Sequence, residues 1–334
     1  MKKYFVFSDV HGEMSALEAS LAEAGYDRYN KDHILISLGD NFDRGKESVG
    51  VYEILRSNKR SICIKGNHEF FLEEALENRN LTSSILFNYL HNGLDETLES
   101  FSHFCDFNKS DSNKVSKEYI SAMIEEINSG YKDLLSWLKN MPYYYETEHY
   151  IFVHANIDGT IPDWKNTDPY FMVWDIDNIF SNIYNTKKTI IFGHYNTDII
   201  REKIQENRVR ENLLRMVAYG NQDKFRPVKI GQRIGIDGCS NLTKKINILV
   251  IEDEPIEEKT NNSENKDNIQ ENCIKINGNT VTINRECVNY PNFENMENTY
   301  INRTINMPNY TNIFRQDNFT VQVPVEETVT NTHM

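Results

Sequence analysis

The sequence contains no long apolar run. Its apolar stretches all fall short of the ~20 residues that a membrane-spanning helix needs, so we expect no transmembrane helix. The chain begins with a basic pair of lysines, but the apolar stretch from Tyr4 to Phe7 is too short for a signal peptide, and Asp9 interrupts it. We therefore interpret this stretch as the first β-strand of the fold.

Basic residues are scarce relative to acidic ones. The chain has 36 Lys and Arg against 50 Asp and Glu, which gives a formal net charge of −14. Nucleic-acid binding needs clustered basic side chains, so this balance argues against nucleic acid as the main partner. It leaves open a local positive site built from bound metal ions, whose charge a residue count ignores.

Cysteines are also few. The five form an odd set without C-x-x-C spacing, which disfavours a disulfide framework. Cys63 and Cys239 lie in apolar, strand-like stretches and are predicted to be small core residues. We expect a protein of the reducing cytoplasm, with no membrane partner.

Against this plain background, the first 70 residues contain three polar motifs. They read S-D-V-H-G at 8–12, G-D-N-F-D-R-G at 39–45 and G-N-H-E at 66–69. Each follows an apolar run that predicts a β-strand, and two lone histidines, His154 and His194, follow similar runs later in the chain. The predicted strands are Tyr4–Phe7, Ile34–Leu38, Ile62–Ile64, Tyr150–Val153 and Thr189–Phe192.

The side chains beyond these strands are metal-ligand types. Two ions about 3.5–4 Å apart share a bridging hydroxide, which then serves as the nucleophile in a phosphoester hydrolysis. Asp40 has two carboxylate oxygens, one for each ion. A mixed set of oxygen and imidazole ligands suits Mn²⁺, Fe or Zn²⁺ better than Mg²⁺. The candidate metal ligands are Asp9, His11, Asp40, Asn67, His154 and His194.

Three further residues of these motifs are candidate catalytic groups. The planar guanidinium of Arg44 matches two phosphate oxygens and offsets their charge. His68, next to Asn67, is a candidate general acid that protonates the leaving group. Asp43 is a candidate to orient the His68 ring and keep it protonated.

Each signal alone is weak, because a lone histidine is more often structural and an Asp-Arg-Gly is commonly a solvated turn. Together, in order and at strand ends, they favour a two-metal phosphoester hydrolase.

The composition predicts two regions. Strands and helices alternate over residues 1–254, which predicts a layered α/β catalytic domain, with a mostly helical insert at about 70–140. Residues 255–334 are rich in Asn, Thr and Glu. They are predicted to be a linker followed by a C-terminal extension that is either small and β-rich or partly disordered.

The motifs resemble those of the PPP-type metallophosphoesterases, the serine/threonine protein phosphatase family, and above all its compact bacterial and bacteriophage members. That pattern reads G-D-x-H-G, G-D-x-x-D-R-G, G-N-H-E, H-A/G-G and a late G-H. Ser8 replaces the first glycine of the G-D-x-H-G motif, and Asn156 replaces the final glycine of the H-A/G-G motif. Residues 91–98 are similar to an N-G-G-x-x-T element of the compact members. The resemblance covers about residues 4–251.

This resemblance implies a four-layer αββα sandwich and a division of the ligands. Asp9, His11 and Asp40 would bind the first metal, and Asp40, Asn67, His154 and His194 the second. It implies that Arg44 holds phosphate and that His68 and Asp43 form the acid dyad. The substrate implied is phosphoserine or phosphothreonine in proteins, or a small phosphoester.

One departure from the family pattern concerns phosphate binding. These enzymes usually have a second phosphate-binding arginine between the last two histidines, and no Arg occurs between His154 and His194 here. Lys165 and Arg233 are candidate substitutes. The missing arginine leaves open a weakly active phosphate-binding regulatory module. A symmetrical dinucleoside polyphosphate hydrolase also stays open, because a related group shares the same metal motifs.

Overall fold

The computed structural model describes residues 2–78, 81–102, 117–175, 180, 185–204, 222–255, 274–277 and 280–283. They form two units, divided between residues 258 and 259. Across these ranges no helix has the length and apolarity needed to span a membrane.

The first unit alternates strands and helices. Its elements in chain order are β1 (Lys2–Phe7), α1 (Met14–Glu23), β2 (His33–Ser37), α2 (Ser48–Ser57), β3 (Ser61–Cys63), α3 (Asn67–Glu77), α4 (Ser83–His91), α5 (Leu94–Phe101), α6 (Lys117–Gly130), α7 (Leu134–Lys139), β4 (Tyr144–Glu146), β5 (Tyr150–Val153), α8 (Pro169–Trp174), β6 (Thr189–Phe192), α9 (Thr197–Ile204), β7 (Val228–Ile230), β8 (Arg233–Gly235), α10 (Ser240–Thr243) and β9 (Leu249–Asp253).

The strands build two sheets. In the first, the order is β3-β2-β1-β9, with β1, β2 and β3 parallel and β9 antiparallel to β1. In the second, the order is β4-β5-β6-β8-β7, with β5, β6 and β8 parallel. The carboxyl ends of parallel strands lie along one edge of a sheet, so each sheet presents a row of strand ends from which side chains can converge.

The sheets pack face to face, and helices cover their outer faces. Side chains from both sheets form one apolar cluster, in which Tyr4, Val6 and Ile36 of the first sheet join Phe152 and Ile191 of the second. Separate clusters join the first sheet to α1–α7 and the second to α8 and α9. This arrangement confirms the predicted four-layer αββα sandwich.

Most predicted strands agree with the structure to within one or two residues at each end, and two elements differ by three residues at their start. The sequence pattern predicts a helix over Phe70–Asn78. Helix α3 begins earlier, at Asn67, because the Glu69 carboxylate accepts the Gly66 N–H at 2.8 Å. The sequence pattern also predicts that the last strand begins at Ile246, whereas it begins three residues later, at Leu249.

The described part of the second unit is a β-hairpin. Strands β10 (Ile274–Asn277) and β11 (Thr280–Ile283) pair antiparallel. The residues Phe319–Val325 alternate in sequence as a strand would, but they and the rest of the C-terminal extension lie outside the described residues.

Candidate active site

All nine predicted site residues lie just beyond the carboxyl ends of parallel strands. They come from both sheets and meet where the two rows of strand ends face each other. The positions are Asp9 and His11 after β1, Asp40, Asp43 and Arg44 after β2, Asn67 and His68 after β3, His154 after β5 and His194 after β6.

The backbone is strained at this edge. Eight non-glycine residues of the described chain have a left-handed φ, and six of them are predicted site residues. Such conformations are uncommon outside glycine and persist only where the surroundings hold them, which is typical of functional sites. The six are Asp9, His11, Asp40, Asp43, Arg44 and His194.

Asp40 lies at the centre of the site. Its carboxylate belongs to two groups of possible metal ligands, one with His11 and His68 and the other with His154 and His194. Within each group the ligand atoms all lie within 4.8 Å of one another. A carboxylate shared by two such groups has the placement that a bridging ligand requires.

Asn67 adds a converging oxygen to the second group. Its side-chain oxygen is 2.9 Å from Nε2 of His154, 3.0 Å from Nδ1 of His194 and 3.2 Å from both carboxylate oxygens of Asp40. An amide turned the other way would donate to these acceptors. With the oxygen in this place, the amide oxygen, the two imidazole nitrogens and the Asp40 carboxylate face one another as acceptors. Only a cation among them satisfies them all. The donor set therefore fits a divalent metal ion with oxygen and imidazole ligands.

The charge balance of the buried groups fits the same conclusion. Burial and the charge of Asp237 raise the pKa of Asp9, while burial and the charge of Asp9 raise the pKa of Asp40. Burial lowers the pKa of His154, and lowers that of His194 to about 4, so both imidazoles are neutral at pH 7. Buried carboxylates beside neutral imidazoles are stabilised by a cation among them.

Asp9 stands slightly apart from the two groups. Its Oδ2 accepts the His194 N–H at 3.0 Å and a hydrogen bond from the Ser8 hydroxyl. In this structure His68, rather than Asp9, completes the group of possible metal ligands that contains His11 and Asp40. Ser8, which replaces the family's glycine, thus holds the Asp9 carboxylate directly.

The predicted acid dyad is in contact. Nδ1 of His68 is 2.6 Å from Oδ2 of Asp43. Burial and the charge of Arg44 lower the pKa of His68, and burial raises the pKa of Asp43 to about 7. Both shifts favour the uncharged form of each group. The predicted protonation of the ring stays a prediction.

Arg44 reaches over both imidazoles. Its Nη1 is 2.7 Å from Nε2 of His11, and its Nη2 is 3.2 Å from Nε2 of His68. The guanidinium therefore lies beside the first metal-ligand group and the acid dyad, which share His68, and its planar fork matches two phosphoryl oxygens there.

Glu69 is hydrogen-bonded to the backbone on either side of Asp40 and at Gly66. Its buried carboxylate accepts the backbone N–H groups of Asp40, Asn41 and Gly66, each at 2.8 Å. Charge-assisted bonds of this kind are stronger than neutral ones. Glu69 therefore fixes the backbone that carries Asp40.

Neither candidate substitute for the second arginine lies at the site. Lys165 forms an ion pair with Glu146, which is aligned with Ile151 near the amino-terminal end of β5. Arg233 is buried at the first position of β8, opposite Ile190 and at the far end of the strand from the site. The family resemblance places that arginine near Trp174 and Asp175, and here Asp175 accepts a hydrogen bond from the side-chain amide of Asn156 at 2.7 Å.

Two residues at the site have no role in the motif-based prediction. Asp237 lies two residues past β8, is buried, and acts electrostatically on Asp9. The strand-then-aspartate pattern that reveals Asp9 and Asp40 also occurs here, after Ile234–Ile236. Thr97 lies in the predicted N-G-G-x-x-T element, and its hydroxyl bonds Asp43 at 2.7 Å. Only the structure shows that contact.

Two half-buried aromatic rings border the site. The ring centroid of Phe71 is 5.0 Å from that of His68 and 5.7 Å from that of Trp174. The Trp174 ring lies 6.2 Å from that of His194. An apolar surface therefore adjoins both the acid dyad and one metal-ligand group.

The family described as calcineurin-like phosphoesterase matches residues 2–245, most of the chain. This range contains every site residue above. The chain belongs to the calcineurin-like phosphoesterase family. This membership agrees with the fold and with the two adjoining metal-ligand groups, because metallophosphoesterases use a dinuclear divalent metal centre.

Among curated proteins, similarity is found to serine/threonine-protein phosphatase 2 of Escherichia coli and of Salmonella typhimurium. The first is 40% identical over 73 residues, which span 22% of this chain and only 32% of that protein. The second is 25% identical over 205 residues, 58% of this chain and 80% of that protein. Among solved structures, a serine/threonine phosphatase from Saccharomyces cerevisiae has a TM-score of 0.41 at 15% identity, covering 78% of this chain and 82% of that one.

Proposed function

We propose that this member of the family is a metal-dependent phosphomonoesterase that acts on phosphoserine or phosphothreonine in proteins. The observation that carries the proposal is the placement of Asp40 in two metal-ligand groups directly beside Arg44 and His68. A site of this kind combines cations with a guanidinium and a proton donor. Each of the three promotes the hydrolysis of a phosphate ester.

Six residues would hold the metal ions in this proposal. When bound, two ions neutralise charge on the phosphoryl oxygens and activate water. Asp40 would be the shared ligand. The remaining proposed ligands are Asp9, His11, Asn67, His154 and His194.

The chain's own groups bind phosphate and move the proton. Arg44 would bind two phosphoryl oxygens through its planar guanidinium. His68 would donate a proton from Nε2 to the leaving oxygen, while its Nδ1 stays bonded to Asp43. The short Nδ1–Oδ2 contact, 2.6 Å, keeps the ring oriented during that transfer.

Mn²⁺ is the metal proposed for this set, with Fe and Zn²⁺ as alternatives, because imidazole and carboxylate ligands are mixed. The cysteine pattern supports a cytoplasmic location. We also propose that the catalytic domain covers residues 1–254 with its helical insert at about 70–140, followed by the C-terminal extension.

Hydrolysis of 4-nitrophenyl phosphate by the full chain with added Mn²⁺ tests whether the protein is a phosphatase. We expect activity that chelation abolishes and that Mn²⁺ restores, with two ions per chain by elemental analysis. The control is Asp158→Asn, a half-buried loop acid whose carboxylate accepts hydrogen bonds from the backbone and hydroxyl of Thr160. A protein that binds phosphate tightly but hydrolyses nothing would instead support the phosphate-binding regulatory module.

A second candidate function is supported by the aromatic rings. Phe71 and Trp174 offer faces on which a nucleobase can stack beside the acid dyad. A symmetrical dinucleoside polyphosphate hydrolase is therefore the alternative. A comparison of kcat/KM for a phosphoserine peptide and for diadenosine tetraphosphate separates the two, and Trp174→Leu should weaken only the nucleotide reaction.

A further inference from the structure

Two consecutive residues of the second motif need outside support. Asp43 and Arg44 have φ values of 69° and 70°, although neither is glycine. A side chain in this region crowds its own backbone, so neither residue would keep the conformation unaided. Both carry chemistry in the proposed function, and their side-chain directions depend on this backbone.

The start of helix α5 supports Arg44. The carbonyl oxygen of Gly93, at the helix N-cap, accepts the Arg44 N–H at 3.1 Å. Gly93 itself has a φ of +85°, and a Cβ there would lie 2.2 Å from the Arg44 nitrogen and 2.6 Å from its Cα. Only glycine allows the two backbones to approach this closely.

One helical turn later, Thr97 supports Asp43. The Thr97 hydroxyl donates to Oδ1 of Asp43 at 2.7 Å and accepts the Asp43 N–H at 2.7 Å. Both side chains are fully buried. The Ser48 hydroxyl, 3.2 Å away, takes the second acceptor position of Thr97. Since a hydroxyl has one proton, that proton is committed to Asp43.

The bond to Oδ1 has a consequence for His68. A carboxylate that is held at only one oxygen can rotate about its Cβ–Cγ bond. With Oδ1 fixed by Thr97, Oδ2 points at Nδ1 of His68, 2.6 Å away. The direction of the imidazole, and hence of its Nε2, is then set through Asp43 by a residue of another helix.

We propose that Gly93 and Thr97 form a clamp that positions the Asp43–Arg44 pair, and that Thr97 is the positioning residue that aims His68 at the leaving group. The proposal rests on the acid role assigned to His68 in the proposed function. Thr97 touches neither substrate nor metal ligand in it. Its hydroxyl acts through Asp43.

The test compares Thr97→Val, which keeps the shape and removes the hydroxyl, with Thr97→Ser, which keeps the hydroxyl. Thr82→Val is the matched control, because the Thr82 hydroxyl accepts the Ile85 N–H in the neighbouring helix and does not contact Asp43. Full-length protein with Mn²⁺ is assayed on a phosphoserine peptide, whose alkoxide must be protonated, and on 4-nitrophenyl phosphate, whose leaving group needs little protonation.

For Thr97→Val we expect kcat on the peptide to fall about 10–100-fold, below the full contribution of a general acid. The loss of kcat on 4-nitrophenyl phosphate should be much smaller, and the metal content should be unchanged. Thr97→Ser and Thr82→Val should have kcat values close to those of the wild type on both substrates. Equal losses on both substrates, or loss of metal, would overturn the proposal. If Thr97→Val does not fold, Thr97→Ala is held to the same criteria.

A second readout does not depend on activity. In histidine-labelled protein, the Nδ1 proton of His68 should give a downfield NMR signal that His68→Gln removes and that Thr97→Ser keeps. Thr97→Val should lose or broaden it. If the signal persists unchanged in Thr97→Val, the clamp proposal is overturned, even if the wild type hydrolyses neither substrate. A wild type that hydrolyses neither substrate would separately reject the proposed function.

Discussion

At the scale of single residues, the site is held by contacts that lie outside the ligands themselves. Asp40 has a left-handed backbone, and Glu69 fixes it through three buried N–H bonds around it. Asp9 is held by Ser8 and by the backbone of His194. Such supports keep ligand directions fixed before any ion binds, which reduces the reorganisation that binding requires.

The shared position of Asp40 predicts an order of mutational effects. Asp40 belongs to both ligand groups, whereas Asn67 adjoins only the second. We expect Asp40→Ala to bind fewer ions and to lose more activity than Asn67→Ala. Elemental analysis and 4-nitrophenyl phosphate hydrolysis of both variants check this. A greater loss in Asn67→Ala would contradict the bridging role.

Gly193 gives a second residue-scale prediction. A Cβ there would lie 1.8 Å from the Ser8 hydroxyl and 2.3 Å from Oδ2 of Asp9. Gly193→Ala should therefore displace Asp9 and weaken Mn²⁺ affinity by about 10–100-fold, as expected when a ligand's support is lost. Gly130→Ala is the control, because its Cβ would meet nothing within 4 Å. Equal metal affinity in the two variants would mean that Asp9 is not a ligand.

Sequence reasoning found the ligand-type residues because strand ends mark them locally. Asp9 follows an apolar run after Ser8, and His154 follows one directly. Periodicity and residue type therefore suffice to identify them as candidate ligands. It could not assign the bond from Thr97 to Asp43, because these residues are 54 positions apart and only the packing of α5 brings them together. Asp237 carried the same local signal as Asp40 but lay outside the motifs.

At the scale of elements, the start of α3 shows how local chemistry moves a boundary. Apolar periodicity predicts a helix from Phe70, yet the helix begins at Asn67. Glu69 accepts the Gly66 N–H, and this cap brings Asn67 and His68 into the first helical turn. The two residues are therefore fixed by a helix rather than by a free loop.

A contact between elements of the two sheets predicts a pH dependence of stability. His149, just before β5, donates its backbone N–H to Asp253 of β9 at 3.0 Å, and its Nδ1 is 2.6 Å from the same carboxylate. This hydrogen bond and the charge of Asp253 raise the pKa of His149 above 6.5. The stabilisation is fully present below the unfolded pKa and is lost as the pH rises through the folded pKa.

The urea unfolding midpoint of wild type should therefore exceed that of His149→Gln by more at about pH 5.5 than at about pH 8.5. The imidazole is 72% exposed, so solvent screening keeps the difference small. A difference between the two proteins that is independent of pH would show that the protonated ring does not stabilise the fold.

At the scale of the whole molecule, the site depends on both sheets. Asp9, Asp40 and Asn67 come from the first, and His154 and His194 from the second. Strand and helix alternation predicts each sheet's elements, but periodicity contains no information on how two sheets face each other. The family resemblance supplied that arrangement, and the apolar cluster shared by both sheets confirms it.

The division of the chain leads to the last prediction. Residues 1–258 form one unit, and every described site residue lies within it. We expect a chain that ends at residue 258 to fold, to bind metal and to hydrolyse 4-nitrophenyl phosphate at a rate similar to that of the full chain. Circular dichroism, elemental analysis and the assay measure the three properties. A truncated protein that is folded and metal-loaded but inactive would mean that the extension supplies a catalytic group. The missing second phosphate-binding cation is then the group to seek, with Arg285, Arg303 and Arg315 as the residues to substitute in the full chain.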